Sequence, residues 1–305
     1  MKKKAPGKIF EHELAAACRV HPGGFIFIQQ QNSAGGAGEK EPMDDRQAKI
    51  NEIVKAWANA KNVVVFTGAG MSTESGLPDF RSARGLWKVR PESLATLQAL
   101  KQQPDEFYFF YQLRIKNLSD VKPNQGHHAL TALQQKGNLT VITQNVDGLH
   151  QQAHTKNVIE LHGTLRTLRC LTCAAVYDSQ KLLPQTPAWE IDYQQGNYHY
   201  GNECLCASCG GLLRPEVVLF GENLPDKAWE TAVTQSKNAD FYVVLGSSLV
   251  VSPANYLPQL ALENGAKLLI INQEPTPLDN SATWVIHSSL GSVLGIIKDK
   301  MTSKS

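Results

Sequence analysis

The sequence predicts an α/β protein: a parallel, doubly wound sheet with helices on its faces, interrupted by a smaller second domain. Three observations point there. Six short runs are almost wholly apolar, as strands buried on both faces must be. Helical stretches separate most of these runs. Two segments, 85–122 and 165–213, break the alternation. At roughly 150 residues per domain, a chain of 305 residues has room for about two.

Residues 1–42 hold Gln29-Gln30-Gln31, Gly35-Gly36 and Gly38 with no sustained period, and are expected to be a disordered extension. Lys2-Lys3-Lys4 has the look of a basic signal start, and Ala15-Ala16-Ala17-Cys18 of a lipoprotein cleavage site. Lys8, Glu11, His12 and Glu13 nevertheless stand where an apolar segment belongs. No signal is read, and the expected location is the cytoplasm.

Met43 and Asp44-Asp45-Arg46 open the first helix. Over 46–60, Ile50, Ile53, Val54, Trp57 and Ala58 recur at helical spacing. Strand 63–67 follows, and then segment 85–122, whose aromatic run Phe107–Tyr111 reads as helical. Helix 126–136 leads to strands 139–143 and 158–161. Segment 165–213 then carries turn formers and five cysteines. Helix 227–236, strand 241–245, helix 254–264 and strands 267–272 and 284–286 complete the sheet. The expected division is 43–84, 123–164 and 214–300 for the sheet domain, with 85–122 and 165–213 forming the small one.

Composition narrows the function classes. With 42% hydrophobic residues the chain can fill a core, which excludes a disordered or collagen-like protein. Thirty basic and 28 acidic residues give a net charge of +2, and the first 42 residues hold that surplus. No broad electrostatic footprint for nucleic acid is expected. No apolar run approaches the ~20 residues of a membrane span.

Cys170-x-x-Cys173 and Cys206-x-x-Cys209 have the paired spacing of a four-cysteine zinc site. Four thiolates leave no open position for water, so the metal is expected to be structural. The 32 residues between the pairs exceed the usual spacing and imply an inserted loop with Trp189, Tyr193 and Tyr198. Cys204 offers a rival ligand; Cys206 is preferred because it keeps the two-residue spacing to Cys209.

Strand 63–67 runs straight into Gly68-Ala69-Gly70-Met71-Ser72, a Gly-rich turn opening a helix, which aims backbone N–H groups at a pyrophosphate. Glycine is expected there because a Cβ would block the phosphates. The third glycine of a dinucleotide fingerprint is replaced by Thr73, and no acidic residue ends a second strand about 20 residues on. An NAD dehydrogenase is therefore disfavoured. Polar groups after the other apolar runs, Thr143–His150 and His162-Gly163, are expected to converge on the same crevice.

Taken together, the ordered motifs resemble the sirtuins, the NAD-dependent protein lysine deacylases. They are Gly68-Ala69-Gly70-x-Ser72-x-x-Ser75-Gly76-x-Pro78-Asp79-Phe80-Arg81, Thr143-Gln144-Asn145-x-Asp147, Glu160-Leu161-His162-Gly163, Arg214-Pro215-x-Val217-Val218-x-Phe220-Gly221-Glu222, Gly246-Ser247-Ser248-Leu249-x-Val251-x-Pro253 and Ile271-Asn272. The resemblance covers about residues 47–295. It implies a Rossmann-like sheet domain beside a small domain of a helical and a zinc module. The implied reaction moves the acyl group of an acyl-lysine onto the ADP-ribose of NAD and releases nicotinamide.

The resemblance also implies roles. His162 would be the general base on a ribose hydroxyl, and Asn145 would hold the ribose and a water. Gln144 would contact the ribose, and Asp147 the nicotinamide carboxamide. Asp79 would belong to the cofactor loop, in which Arg81 holds the pyrophosphate with Gly68, Ala69, Gly70 and Ser72 while Phe80 shields the ribose. Gly246, Ser247, Ser248 and Asn272 would take the remaining phosphate and the adenosine ribose, with Leu290 near the adenine. Val217, Val218, Phe220 and Gly221 would offer backbone groups to the acyl-lysine peptide.

Ala95, Tyr111 and Arg114 resemble the acyl pocket of desuccinylating and demalonylating sirtuins, in which Arg and Tyr pair with a distal carboxylate. Tyr111 and Arg114 also fit an ordinary helix, so acetyl and acidic acyl groups both remain open. Mono-ADP-ribosylation and a non-enzymatic NAD sensor are the rival functions. His127, His128, His150 and His154 are read as structural.

Overall fold

The structure is a computed structural model that describes residues 43–81, 85–89, 91–186 and 188–303. The expected extension 1–42 lies outside the described residues. Six parallel strands form the main sheet: β1 (Val63–Thr67), β2 (Leu139–Thr143), β3 (Val158–Glu160), β7 (Phe241–Leu245), β8 (Lys267–Ile271) and β9 (Trp284–Ile286). Their spatial order is β3-β2-β1-β7-β8-β9. Counted along the sheet's own strands this is 3-2-1-4-5-6, the doubly wound order of dinucleotide-binding sheets, whose direction of winding reverses between β1 and β7.

Side-chain alternation explains the two helix layers. Val63, Val65, Val141, Val243 and Leu269 share one core with Ile53 and Trp57 of helix Met43–Asn59, Leu130 and Leu133 of helix Gln125–Gln134, and Val293, Leu294 and Ile297 of helix Leu290–Thr302. Val64, Phe66, Ile142, Val244 and Ile270 point the other way. They pack against Ala232 of helix Asp226–Asn238 and against Leu257 and Ala261 of helix Tyr256–Glu263. A strand buried on both faces needs no polar positions, which is why these runs read as continuous apolar segments.

The strands also end together. Thr67 stands opposite both Thr143 and Leu245, and Leu245 stands opposite Ile271. Gln144, Gly68, Gly246 and Asn272 therefore leave the sheet in one row. The turn after β1 opens a helix, as expected, and that helix is of the 3-10 type over Ala69–Ser75. It sits hard against the turn after β7. A Cβ on Gly70 would stand 2.7 Å from Gly246 Cα, and one on Gly68 2.7 Å from Gly246 O. Glycine at these positions thus already answers to the approach of two protein backbones, whatever ligand binds above them.

The aromatic segment is the helix Pro104–Leu118, and it is buried nearly all round. Phe107, Tyr108, Phe110 and Tyr111 join Leu165, Leu168 and Leu213 in one cluster, while Phe109 faces Trp189 and Tyr198 in another. Segment 163–217 holds a three-stranded antiparallel sheet in the order β5-β4-β6: β4 (Gly163–Cys170), β5 (Val176–Asp178) and β6 (Leu213–Val217). Sequence reasoning missed it for two reasons. A register shift between Thr164 and Leu168 breaks the two-residue period, and β6 carries Pro215, which a sheet tolerates on an edge strand. The expected junctions at 164/165 and 213/214 fall within β4 and β6.

Gly70→Ala should cost about 1–3 kcal/mol, because the new Cβ meets backbone that cannot swing away. Gly137→Ala, whose Cβ meets nothing within 4 Å, should be nearly neutral. Urea midpoints of the two variants against the parent check the contrast.

Candidate active site

Above the row of strand ends lies a small set of buried polar side chains. Asn145 and Asp147 follow β2 and are each 7% exposed; Ser72 in the 3-10 turn is 2% exposed. Buried polar groups must be hydrogen-bonded, and these bond to one another. Asn145 Nδ2 donates to Gly68 O at 2.9 Å and to Ser72 Oγ at 3.3 Å. Ser72 Oγ donates to Asp147 Oδ2 at 2.7 Å, and Leu149 N–H donates to Asp147 Oδ1 at 2.9 Å. Burial pushes the Asp147 carboxyl above its ordinary range, against the pull of those two hydrogen bonds.

His162 follows β3 and is partly buried. Its Nδ1 lies 3.1 Å from Gln144 O. A carbonyl only accepts, so Nδ1 carries the proton and Nε2 keeps its lone pair. Burial lowers the imidazole pKa; the hydrogen bond to Gln144 opposes that and the charge of Arg81 adds to it. The ring is therefore a neutral imidazole at pH 7. Gln144 also reaches across the switch point, its Nε2 donating to Ser247 Oγ at 2.9 Å.

The rest of the predicted set spreads outward. Phe80 packs against Trp87 with the rings tilted by 31° and their centroids 5.1 Å apart, and Arg81 is exposed, 3.6 Å from Glu92. Asp79 accepts the Arg81 N–H at 3.0 Å, closing its own turn. Ala69 and Ser248 are half-buried beside their glycines. Asn272 is half-buried and donates to Glu274 O at 2.6 Å. Leu290 opens the last helix and belongs to the core of the sheet.

Tyr111 and Arg114 do meet. The Arg114 guanidinium lies 5.4–5.6 Å from the ring centroids of Phe80, Phe110 and Tyr111. Burial lowers the Arg114 pKa, opposed by its neighbours Tyr111 and Asp147, while burial raises Tyr111 to about 12. Ala95 is buried nearby and accepts the Phe220 N–H at 2.9 Å. Val218 N–H donates to His162 O at 2.8 Å, which ties the segment Val217–Gly221 to the imidazole's own backbone.

Sequence reasoning missed the hydroxyls beneath the site. Thr67 Oγ1 donates to Thr143 Oγ1 at 2.8 Å, and Thr143 Oγ1 also accepts the Asn145 N–H at 3.0 Å. Thr67 Oγ1 lies 3.0 Å from His150 Nε2, so His150 donates there. The available signal was a threonine closing each of two mainly apolar runs, Val63–Thr67 and Leu139–Thr143. His150 and His127 are buried, with ring centroids 4.9 Å apart, whereas His128 and His154 are exposed.

The cysteine pairs close on one another. Cys170 Sγ lies 3.5 Å from Cys209 Sγ and Cys173 Sγ 3.6 Å from Cys206 Sγ, with all four sulfurs within 4.8 Å of one another. Sulfurs about 2.3 Å from a central zinc are about 3.8 Å apart, so the set fits a tetrahedral ion. Backbone N–H groups of Cys173 and Thr172 point at Cys170 Sγ and favour its thiolate. Cys204 stands apart from the cluster. It is fully buried, its thiol is pushed up by that burial, and Gln112 approaches it at 3.8 Å.

Comparison with known proteins gives the family. The Sir2 family profile matches residues 68–253. The chain belongs to the Sir2 family. An NAD-dependent protein deacetylase 1 of Geobacillus kaustophilus is 47% identical over 253 residues, 81% of this chain and 97% of the relative. An NAD-dependent protein deacylase 2 of Pyrobaculum aerophilum is 42% identical, over 79% of this chain and 92% of the relative. Among solved Sir2 structures, one described as Sir2–p53 peptide–NAD+ superposes with a TM-score of 0.72 at 35% identity, covering 83% of this chain and 98% of that one. Another, bound to a propionylated peptide, gives 0.69 at 35% identity with the same coverage.

Two outcomes follow. Elemental analysis should find one zinc per chain, lost in Cys170→Ser, and chelation should lower the thermal midpoint by several degrees. Burial lowers the His150 and His127 pKa values to about 4 and about 3, from an ordinary 6.5. Between pH 6.5 and 4 the unfolded chain binds protons there and the folded chain does not, so stability falls as pH falls through that window. The difference in urea midpoint between pH 7 and pH 5 should shrink in His150→Gln, which keeps a donor for Thr67.

Proposed function

We propose that this chain is an NAD-dependent protein lysine deacetylase. The observation that carries the proposal is the neutral His162 imidazole, its Nε2 lone pair free for a proton, beside the buried Ser72–Asn145–Asp147 set at the switch point of the sheet. NAD enters as a co-substrate and the acyl-lysine of another protein as its partner. Two modules, 43–84 with 123–164 and 214–300, and 85–122 with 165–213, would flank the cleft that receives them. The expected location is the cytoplasm; among the described residues no helix is long and apolar enough to cross a membrane.

The chemistry follows from the residues. Gly68 and Gly70 leave the strand-end row without side chains, and Arg81 supplies the charge for a pyrophosphate. Asp147, held by Ser72 and Leu149, would accept from the carboxamide of nicotinamide. Asn145, pinned through its Nδ2, would face the ribose. The acyl oxygen attacks the anomeric carbon as nicotinamide departs. His162 Nε2 then takes the proton of a ribose hydroxyl, which adds to the acyl carbon; the C–N bond breaks, the lysine amine leaves carrying a proton, and a water adds, so that the acyl group remains on ADP-ribose. A base with a lowered pKa stays competent below pH 6.5. Asn272 and Leu290 would serve the adenosine end. Zinc, where bound, ties the two cysteine knuckles together and supplies no reactive position.

A second acyl class is favoured by one observation. Arg114 sits among three aromatic rings, Tyr111 among them, and among the described residues no carboxylate forms an ion pair with it. A succinyl or malonyl carboxylate would complete that arrangement.

Turnover of one peptide carrying acetyl-, succinyl- or malonyl-lysine, followed by mass spectrometry, tests both statements. Nicotinamide and acyl-ADP-ribose should form in equal amounts, and His162→Ala should lower kcat by about 10²–10⁴-fold. The parent's kcat should hold as pH falls past 6.5. Arg114→Met should depress the acidic acyl groups selectively. NAD binding without turnover of any peptide would instead favour ADP-ribose transfer or sensing.

A further inference from the structure

Arg214 and Glu222 have no part in the chemistry above, yet they form the best-made ion pair among the described residues. Arg214 is 12% exposed and Glu222 26%. The guanidinium grips the carboxylate as a fork, Nη1 to Oε1 at 2.6 Å and Nη2 to Oε2 at 2.8 Å. It also bonds its own strand: Nη2 donates to Val217 O at 2.6 Å and Nε to Pro215 O at 3.3 Å. Glu222 in turn accepts the Leu219 N–H at 2.8 Å. Burial alone would raise its carboxyl; the hydrogen bonds from Arg214 and Leu219 outweigh that and hold it below the usual range.

Everything gripped lies in one segment. Arg214 fixes where Val217 ends β6, and Glu222 fixes the turn through Leu219. Between them Val218 reaches His162 O, Phe220 reaches Ala95 O in register with Thr96, and Gly221 takes a φ of +91°. The N–H groups of Val218, Leu219, Phe220 and Glu222 are all used internally. This stretch is thus held as a bent ribbon, with Val217 and Leu219 buried and Phe220, 39% exposed, at its tip. The two charges of the pair act on Tyr111 in opposite directions, the Arg214 guanidinium lowering its pKa and the Glu222 carboxylate raising it. None of its hydrogen bonds reaches the Gly68–Gly70 turn, Asn145 or Asp147.

We propose that the Arg214–Glu222 ion pair is a positioning device for the acyl-lysine peptide, holding Val217–Gly221 in the shape against which that peptide lies. This rests on the deacetylase reading. The pair acts through geometry: opposite charges cancel beside the pocket, leaving Arg114 as its cation, while the planar fork sets the turn.

The test is steady-state kinetics with one acetyl-lysine peptide on Glu222→Gln, Arg214→Gln, Arg214→Lys and the Gln/Gln double variant. Direct NAD binding and thermal midpoints are measured on the same preparations. Glu222→Gln should raise the peptide KM at least tenfold, with the NAD affinity and kcat at saturating peptide within threefold of the parent. Arg214→Lys, which keeps the charge but not the fork, should show most of the defect. The double variant should be no worse than Arg214→Gln. Should Arg214→Gln fail to fold, Glu222→Gln, which keeps a neutral partner, decides. A peptide KM within twofold of the parent in a folded Glu222→Gln overturns the proposal, as does an equal loss of NAD and peptide affinity. A parent that binds NAD but neither binds nor turns over the peptide sinks the deacetylase reading, and the device with it.

Discussion

The contact between the turns after β1 and β7 is the constraint on which the rest depends. Two backbones meet there with no side chain between them, Gly70 against Gly246 and Gly68 against Gly246 and Ser247. That approach is possible because adjacent parallel strands end in register, Thr67 beside Leu245. It sets the floor of the crevice, and it directs the 3-10 turn so that Ser72 comes beneath Asn145 and Asp147. A side chain added at this seam would push apart the elements that every polar group above it uses as a foundation.

Most of the polar burial around the site is met by shared networks, although His127 Nε2 and His150 Nδ1 are buried without a hydrogen-bond partner. Ser72, Asn145 and Asp147 satisfy one another, and Thr67, Thr143 and His150 carry the chain of hydrogen bonds down into the sheet. Gln112 does the same for the small domain. Fully buried on the aromatic helix, it accepts from Tyr198 Oη at 2.5 Å and donates to Leu182 O at 3.0 Å. The long insertion between the cysteine pairs is therefore bound to the helix that carries Tyr111 and Arg114. Networks of this kind lose more than one bond when one member is removed, because the remaining groups stay buried without partners.

The parallel sheet was legible because burial on both faces leaves an unmistakable mark: Val63–Phe66 is wholly aliphatic or aromatic, and the Tyr242 hydroxyl is the one polar side-chain group in Phe241–Leu245. The residues expected at the crevice could be read because they stand immediately after such runs. The small sheet was hidden, since a bulge and an edge proline erase the alternation that announces an antiparallel strand. The hydrogen-bond roles of Thr67, Thr143 and Gln112 were equally hidden. Each is an unremarkable residue type in its local context, and its partner lies 70 or more residues away in sequence. What Arg214 does for the turn it faces was hidden as well, although its partner Glu222 is only eight residues away.

The strand order also governs when the molecule can be completed. β1 lies between β2 and β7, and the second of those neighbours, Phe241–Leu245, lies far towards the other end of the chain. On a ribosome, where residues emerge at about 5–20 per second, β1 waits roughly 10–35 s with one apolar edge unpaired. Long-range parallel pairing is slow for the same entropic reason. The crevice floor is accordingly among the last features to form. A chain truncated before residue 241 would present an open sheet edge in place of a crevice.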